Sequence, residues 1–337
     1  MPPVTATAEN TSRILGIDRL KGTLILLILF YHSLNYSQRY YLGFKLLGWA
    51  PVSFILVTGL LVSYIYSLRF AQAPLKISRR LWSRAGKLVL LFTFLNFGIS
   101  LLRKPPGQSP SECIQAFLSH WWEVYVTGEG RYASFQILLP IAYFLVVSPA
   151  LLSLNGLSPI LLPVLCALIL PTMALLDEHN RLWTNLALIS ASLPGLLAGR
   201  VPIQSYDKLS LHLGALGGGY CAIFAFGAIF GQSYLLQILG ACSGLALAYS
   251  LCQRWEQRAP RRGLIALLGE YSLLAYILQI AALQALVRVL GRPEPFSARF
   301  LLLLAGAGAV MGALIVGIHW SRSRSRRAAE LYKAVFA

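Results

Sequence analysis

Asp18, Lys21 and His32 all fall within the first apolar stretch of the chain, in the run Asp18-Arg19-Leu20-Lys21-Gly22 and the largely aliphatic segment that follows. An ionisable group inside a membrane span costs several kcal/mol unless protein hides it, so its presence marks function by default. An α-helix turns about 100° per residue, and the eleven steps from Lys21 to His32 end about 20° past three full turns. Both side chains therefore leave the same face. Asp18 lies three residues before Lys21, a neighbour spacing on a helix, and Asn35 extends the polar stripe. At about 1.5 Å per residue His32 sits about 16 Å deeper than Lys21, past the middle of a hydrocarbon layer about 30 Å thick. A histidine with an ordinary pKa of about 6.5 can take a proton near neutral pH. A single intramembrane histidine can equally be a packing residue; the charges aligned with this one favour a buried polar groove.

The elements that must carry this stripe are membrane helices. Of 337 residues, 57% are hydrophobic and 12% charged, and the apolar residues come in runs of spanning length. An all-α, polytopic transmembrane bundle of about ten helices is expected, with spans near 20–38, 46–68, 85–102, 132–153, 157–176, 182–199, 209–231, 233–252, 263–290 and 300–319. Lys and Arg favour cytoplasmic loops. The side that holds both termini carries 20 of the 29 basic residues, so both termini are expected in the cytoplasm. The net charge of +17 thus reflects topology and argues against a nucleic-acid partner. The polar residues before the first span lack a cleavage pattern, so that span is expected to remain in the protein. Four cysteines, Cys166, Cys221, Cys242 and Cys252, fall in or beside spans and Cys113 in a loop; no disulfide framework and no metal site are expected.

The organisation expected is a cytoplasmic segment over 1–19, one membrane domain over 20–320 and a basic cytoplasmic tail over 321–337. The longest outer loop, about 103–131, contains Trp122 and Arg131 beside Glu123, Tyr125 and Glu129. Its aromatic rings either anchor the headgroup layer or form a platform for a sugar. Arg79, Arg80 and Arg84, between the second and third spans, are candidates to hold the phosphates of a nucleotide. The tail from Ser321 to Arg327 is expected to lie against anionic lipid. Gly240, Gly244, Gly308 and Gly312 suit close helix packing, and Gly217-Gly218-Gly219 a bend or a close contact.

Several segments together resemble the integral-membrane acyltransferases: the acyltransferase-3 family, the periplasmic-glucan succinyltransferases and the heparan-glucosaminide acetyltransferase-like proteins. They are Asp18 to Gly22 with Phe30-Tyr31-His32, Phe54-Ile55-Leu56-Val57-Thr58-Gly59, Gln136-Ile137-Leu138-Leu139-Pro140, and Leu268-Gly269-Glu270-Tyr271-Ser272 followed by Tyr276 and Gln279. Lys21 stands where these proteins usually carry arginine, Glu270 where a basic residue is common, and Gln279 where histidine is common. Lysine keeps the charge but loses the planar fork.

The resemblance implies transfer of an acyl group from a cytoplasmic acyl-CoA donor to an extracytoplasmic acceptor, a glycan hydroxyl or amine, by a protein of the bacterial inner membrane with no bound cofactor. His32 would act as general base, or carry the acyl group in a transient covalent state, and Lys21 would orient the donor or balance Asp18. Asn35, Thr58 and Glu270 would contact substrate, with Trp122 and Arg131 on the acceptor side. A proton-coupled transporter of a sugar-like or anionic solute is the rival, with the same charges as a relay. A purely structural scaffold would tolerate an apolar stripe in place of the polar one.

Overall fold

The computed structural model describes residues 15–37, 47–102, 109–129, 133–231, 233–258 and 263–336. Among them all regular structure is helical, with no strand. Helices α1 (Leu15–Tyr36), α2 (Trp49–Phe70), α3 (Pro74–Leu102) and α4 (Pro110–Ser119) come first, followed by α5 (Leu138–Leu157), α6 (Leu161–Glu178), α7 (Thr184–Ser190) and α8 (Ser192–Ala198). The second half holds α9 (Leu213–Phe230), α10 (Tyr234–Arg258), α11 (Leu264–Glu270), α12 (Ser272–Leu290), α13 (Ala298–Arg324) and α14 (Arg326–Phe336). Seven of these, α2, α5, α6, α9, α10, α12 and α13, are long and apolar enough to cross a membrane. Lipid offers no partner for backbone amides, so spanning runs must satisfy their own as helices.

Each expected span overlaps a helix or a broken pair of helices, and three differ in a way that matters. The third begins at Pro74 rather than 85, with proline in the first turn, where its missing N–H costs nothing. Ile77, Leu81, Ala85 and Leu88 form a buried stripe along that helix, so Arg79, Arg80 and Arg84 stand on helical turns and not in a loop. The sixth span breaks at Ala191 into α7 and α8, and the ninth at Tyr271 into α11 and α12. Serines flanking the first break bond nearby carbonyls: Ser190 Oγ donates to Leu186 O at 2.9 Å and Ser192 Oγ to Ile189 O at 2.5 Å. The stretch expected as one long loop contains α4, capped by Ser109 and Glu112, and a π-helical turn over Trp122–Thr127.

α1 is the hub. It packs against α2, α10, α11, α12 and α13 and contributes to both large hydrophobic clusters, Ile25, Ile28 and Leu29 to one and Ile17, Leu20 and Leu24 to the other. The helix that carries the charged stripe is thus enclosed by protein. By contrast only 6% of the spanning window containing α9 is buried, against 56% for α2, which places α9 at the rim. Among the described residues a side-chain carbon added to Gly217, Gly218 or Gly219 would meet nothing within 4 Å, and α9 runs through them as one helix; the bend or contact expected there is not found because none of the described helices covers that face. Gly244 does pack on the Trp49 ring, and Gly308 lies near Leu29, whereas Gly312 faces open space.

Glycine brings two pairs of helices together at backbone distance. A Cβ on Gly22 would strike the Ile265 carbonyl and one on Gly269 the Asp18 carbonyl, so α1 and α11 touch main chain to main chain. Gly59, Gly195 and Gly199 do the same between α2 and α8, against the carbonyls of Ser192, Leu56 and Leu60.

Candidate active site

At the end of the bundle where α1 starts, Lys21 Nζ lies 3.0 Å from Asp18 Oδ1. Asp18 is buried, as is Arg19, whose guanidinium lies 5.8 Å from the centre of the Trp255 ring. A cleft of about 280 Å³ opens beside this pair, with Asp18, Glu270 and His319 on its wall and Leu264, Leu267 and Val316 between them. His319 Nδ1 is 3.2 Å from the Tyr271 hydroxyl, at the break between α11 and α12. Arg322 also donates to that hydroxyl at 2.6 Å. Its guanidinium stacks 4.1 Å from the Tyr332 ring and 5.0 Å from the Tyr271 ring. The tail expected to rest on lipid therefore sends Arg322 inward, because two aromatic faces and a phenol oxygen compete for it. Arg324 on the Trp320 ring and the exposed Arg326–Glu330 pair are the tail's outward elements.

Three turns along α1, His32 points at protein. Its ring centre is 5.2 Å from that of Tyr31 and 6.4 Å from that of Tyr276 on α12. His32 retains partial accessibility. Tyr276 is hydrogen-bonded through its hydroxyl to the Ile137 backbone and meets Phe135 edge-on at 6.2 Å. Phe135 is held at φ +58°, a left-handed conformation that is costly for a bulky residue and persists only when its surroundings impose it. Asn96 imposes it. The buried Asn96 accepts from Ser134 N at 2.7 Å and donates to Ser134 O at 3.0 Å, clamping both backbone groups before Phe135. Gln284 adds a bond to Ser134 Oγ at 3.1 Å. One turn beyond Tyr276, Gln279 is fully buried, and neither atom of its amide has a hydrogen-bond partner among the described residues.

The remaining candidates are dispersed. Asn35 is exposed near the end of α1. Thr58 donates to Phe54 O at 2.8 Å, within its own helix. Arg79, Arg80 and Arg84 are exposed on α3; Arg80 lies 5.9 Å from the Tyr66 ring centre and Arg84 donates to the Tyr66 hydroxyl at 3.5 Å. Trp122 is half-exposed in the π-helical turn, edge-on to Trp121 and to Trp183 at 5.6 and 6.0 Å. Arg131 lies outside the described residues. The sequence offered no signal for Asn96, Trp183, or the joining of His319 to Tyr271; Tyr276 and Gln279 stood in a recognisable pattern, without a role.

A partly accessible imidazole, flanked by aromatic neighbours, with charged groups three turns away on the same helix, suits proton transfer to or from a bound nucleophile. Among the described residues no group of three or more His, Cys, Asp or Glu side chains could hold a metal ion. Neither a curated protein nor a solved structure matches the chain. A family model does: that of the acyltransferase-3 acyltransferase domain matches residues 14–318, which is nearly the whole helical bundle. The chain belongs to the acyltransferase-3 family, and it is a membrane acyltransferase.

Proposed function

We propose that the protein moves an acyl group from a cytoplasmic acyl-CoA to a hydroxyl or amine of an extracytoplasmic glycan, with His32 as general base. The observation that carries this reading is the placement of His32, partly accessible on the central helix between Tyr31 and Tyr276. His32 takes the acceptor proton as the acceptor oxygen or nitrogen attacks the thioester carbonyl. The tetrahedral intermediate collapses with cleavage of the carbon–sulfur bond, and the imidazolium returns its proton to the departing thiolate. Family membership favours this over the proton-coupled carrier.

On this reading both termini are cytoplasmic, in the inner membrane of a bacterium, and the cleft beside Asp18, Glu270 and His319 faces the donor. Lys21 is committed to Asp18, which lets both charges tolerate the membrane edge. Arg79, Arg80 and Arg84 lie exposed at the start of α3, where guanidinium groups can take the CoA phosphates. Trp122 with Trp183 offers aromatic edges to a sugar on the opposite side. Replacing His32 with Ala is expected to reduce transfer from radiolabelled acetyl-CoA by about 10²- to 10⁴-fold while leaving membrane insertion unchanged. Full activity in that variant refutes the general-base role.

A further inference from the structure

Gln279 is fully buried in the bundle with both amide atoms unsatisfied, one turn from the tyrosine that packs on His32. An amide left so inside a protein is a standing cost, since each orphaned donor or acceptor forfeits its hydration with nothing in return. Such a cost is kept where a ligand completes the hydrogen bonds. We infer that Gln279 is an acceptor-binding residue that holds hydroxyl groups of the molecule to be acylated. The inference rests on the acyl-transfer reading and deepens it.

The amide needs a ligand that both donates and accepts. The amide oxygen accepts and the amide nitrogen donates twice, and both ends are orphaned. A thioester carbonyl only accepts and would leave the oxygen bare; the pantetheine amides of CoA could serve both ends, and it is position that sets them aside. A pair of neighbouring hydroxyls, as on a pyranose ring, donates to one end and accepts from the other. Position agrees. Gly22 touches Ile265, and ten residues on His32 meets Tyr276, so α1 and the α11–α12 pair run in the same direction. Gln279 therefore lies beyond His32 as seen from the cleft at Asp18. Tyr276 and Gln279, three residues apart, share a helix face, so the amide lies on the side of α12 from which Tyr276 meets His32 and away from the cleft at Asp18.

The test compares wild type, Gln279→Leu and Gln279→His in two assays with radiolabelled acetyl-CoA. One follows acetate released to water by purified protein, with water as the surrogate nucleophile. The other follows acetyl groups incorporated into envelope glycan in membrane vesicles. Gln279→Leu is expected to keep hydrolysis within about twofold and to lose about tenfold or more of incorporation. Because leucine removes an unsatisfied amide, its thermal midpoint should rise by a few degrees. Histidine, with one ring nitrogen donating and the other accepting, should recover part of the incorporation. Equal loss in both assays, unchanged incorporation, or a lowered midpoint in Gln279→Leu overturns the assignment. Failure of the underlying reading shows differently: wild type would turn over no acetyl-CoA, or His32→Ala would retain both activities.

Discussion

His32 is held by rings. Tyr276 packs against the imidazole and is itself fixed by the Ile137 backbone and by Phe135. If His32 is the general base, Tyr276→Leu should lower transfer by about tenfold or more, since a misplaced base loses the geometry it needs. Tyr276→Phe, which keeps the ring, should lose much less, and single-turnover rates compare the two. Asn96→Ala strands the partly buried N–H and C=O of Ser134 and should cost about 1–3 kcal/mol of stability, read from thermal unfolding in detergent. At this scale the sequence was readable where helical periodicity alone does the work. The eleven-residue step from Lys21 to His32 put both on one face, and the three-residue step from Asp18 to Lys21 became an ion pair. Periodicity within one helix says nothing about what faces it from elsewhere. For that reason Asn96, which grips a segment 38 residues away, and the orphaned amide of Gln279 had no signature in the string of letters.

The helices show the same division. Their existence followed from apolar length, because a run near 20 residues has one stable form in lipid. Their breaks did not, since neither Ala191 nor Tyr271 is a helix breaker by type; only the excessive length of the run 263–290 hinted at one. The beginning of α3 was missed because its first turns are amphipathic and basic rather than uniformly apolar, and they lie outside a hydropathy window. Close glycine crossings give this scale its prediction. Gly269→Ala drives a methyl group into the Asp18 carbonyl; main chain on main chain cannot yield by a rotamer change, so a loss of about 1–3 kcal/mol is expected. Gly217→Ala, on the uncovered face of α9, should be neutral or stabilising by up to about 1 kcal/mol. Thermal midpoints of the two proteins decide whether the crossing or mere helix propensity governs.

For the molecule as a whole, charge and the tail set the expectations. If the basic flank of α3 holds CoA phosphates, Arg80→Glu with Arg84→Glu should raise the KM for acetyl-CoA several-fold, with an effect that shrinks as salt is added. kcat should move less. The tail helix α14 lies beyond the matched family region, yet Lys87 donates to Lys333 O at 3.3 Å and Tyr332 covers Arg322. Deleting residues 326–337 and replacing Arg322 with Ala remove the same stack, so their stability costs should fall well short of additive in a double-mutant cycle. The two walls of the cleft at Asp18 are built differently. Along α1 and α11, carbonyls press on glycines and leave no slack, whereas opposite them His319 on α13 leans on Tyr271 through a side-chain contact, and α14 is held by stacked rings and a guanidinium. If this cleft admits the donor, its breathing must be lopsided, like a door with a fixed jamb: spin labels at Leu267 and Val316 should report a spacing that changes with acetyl-CoA, while labels at Leu20 and Leu267 keep theirs.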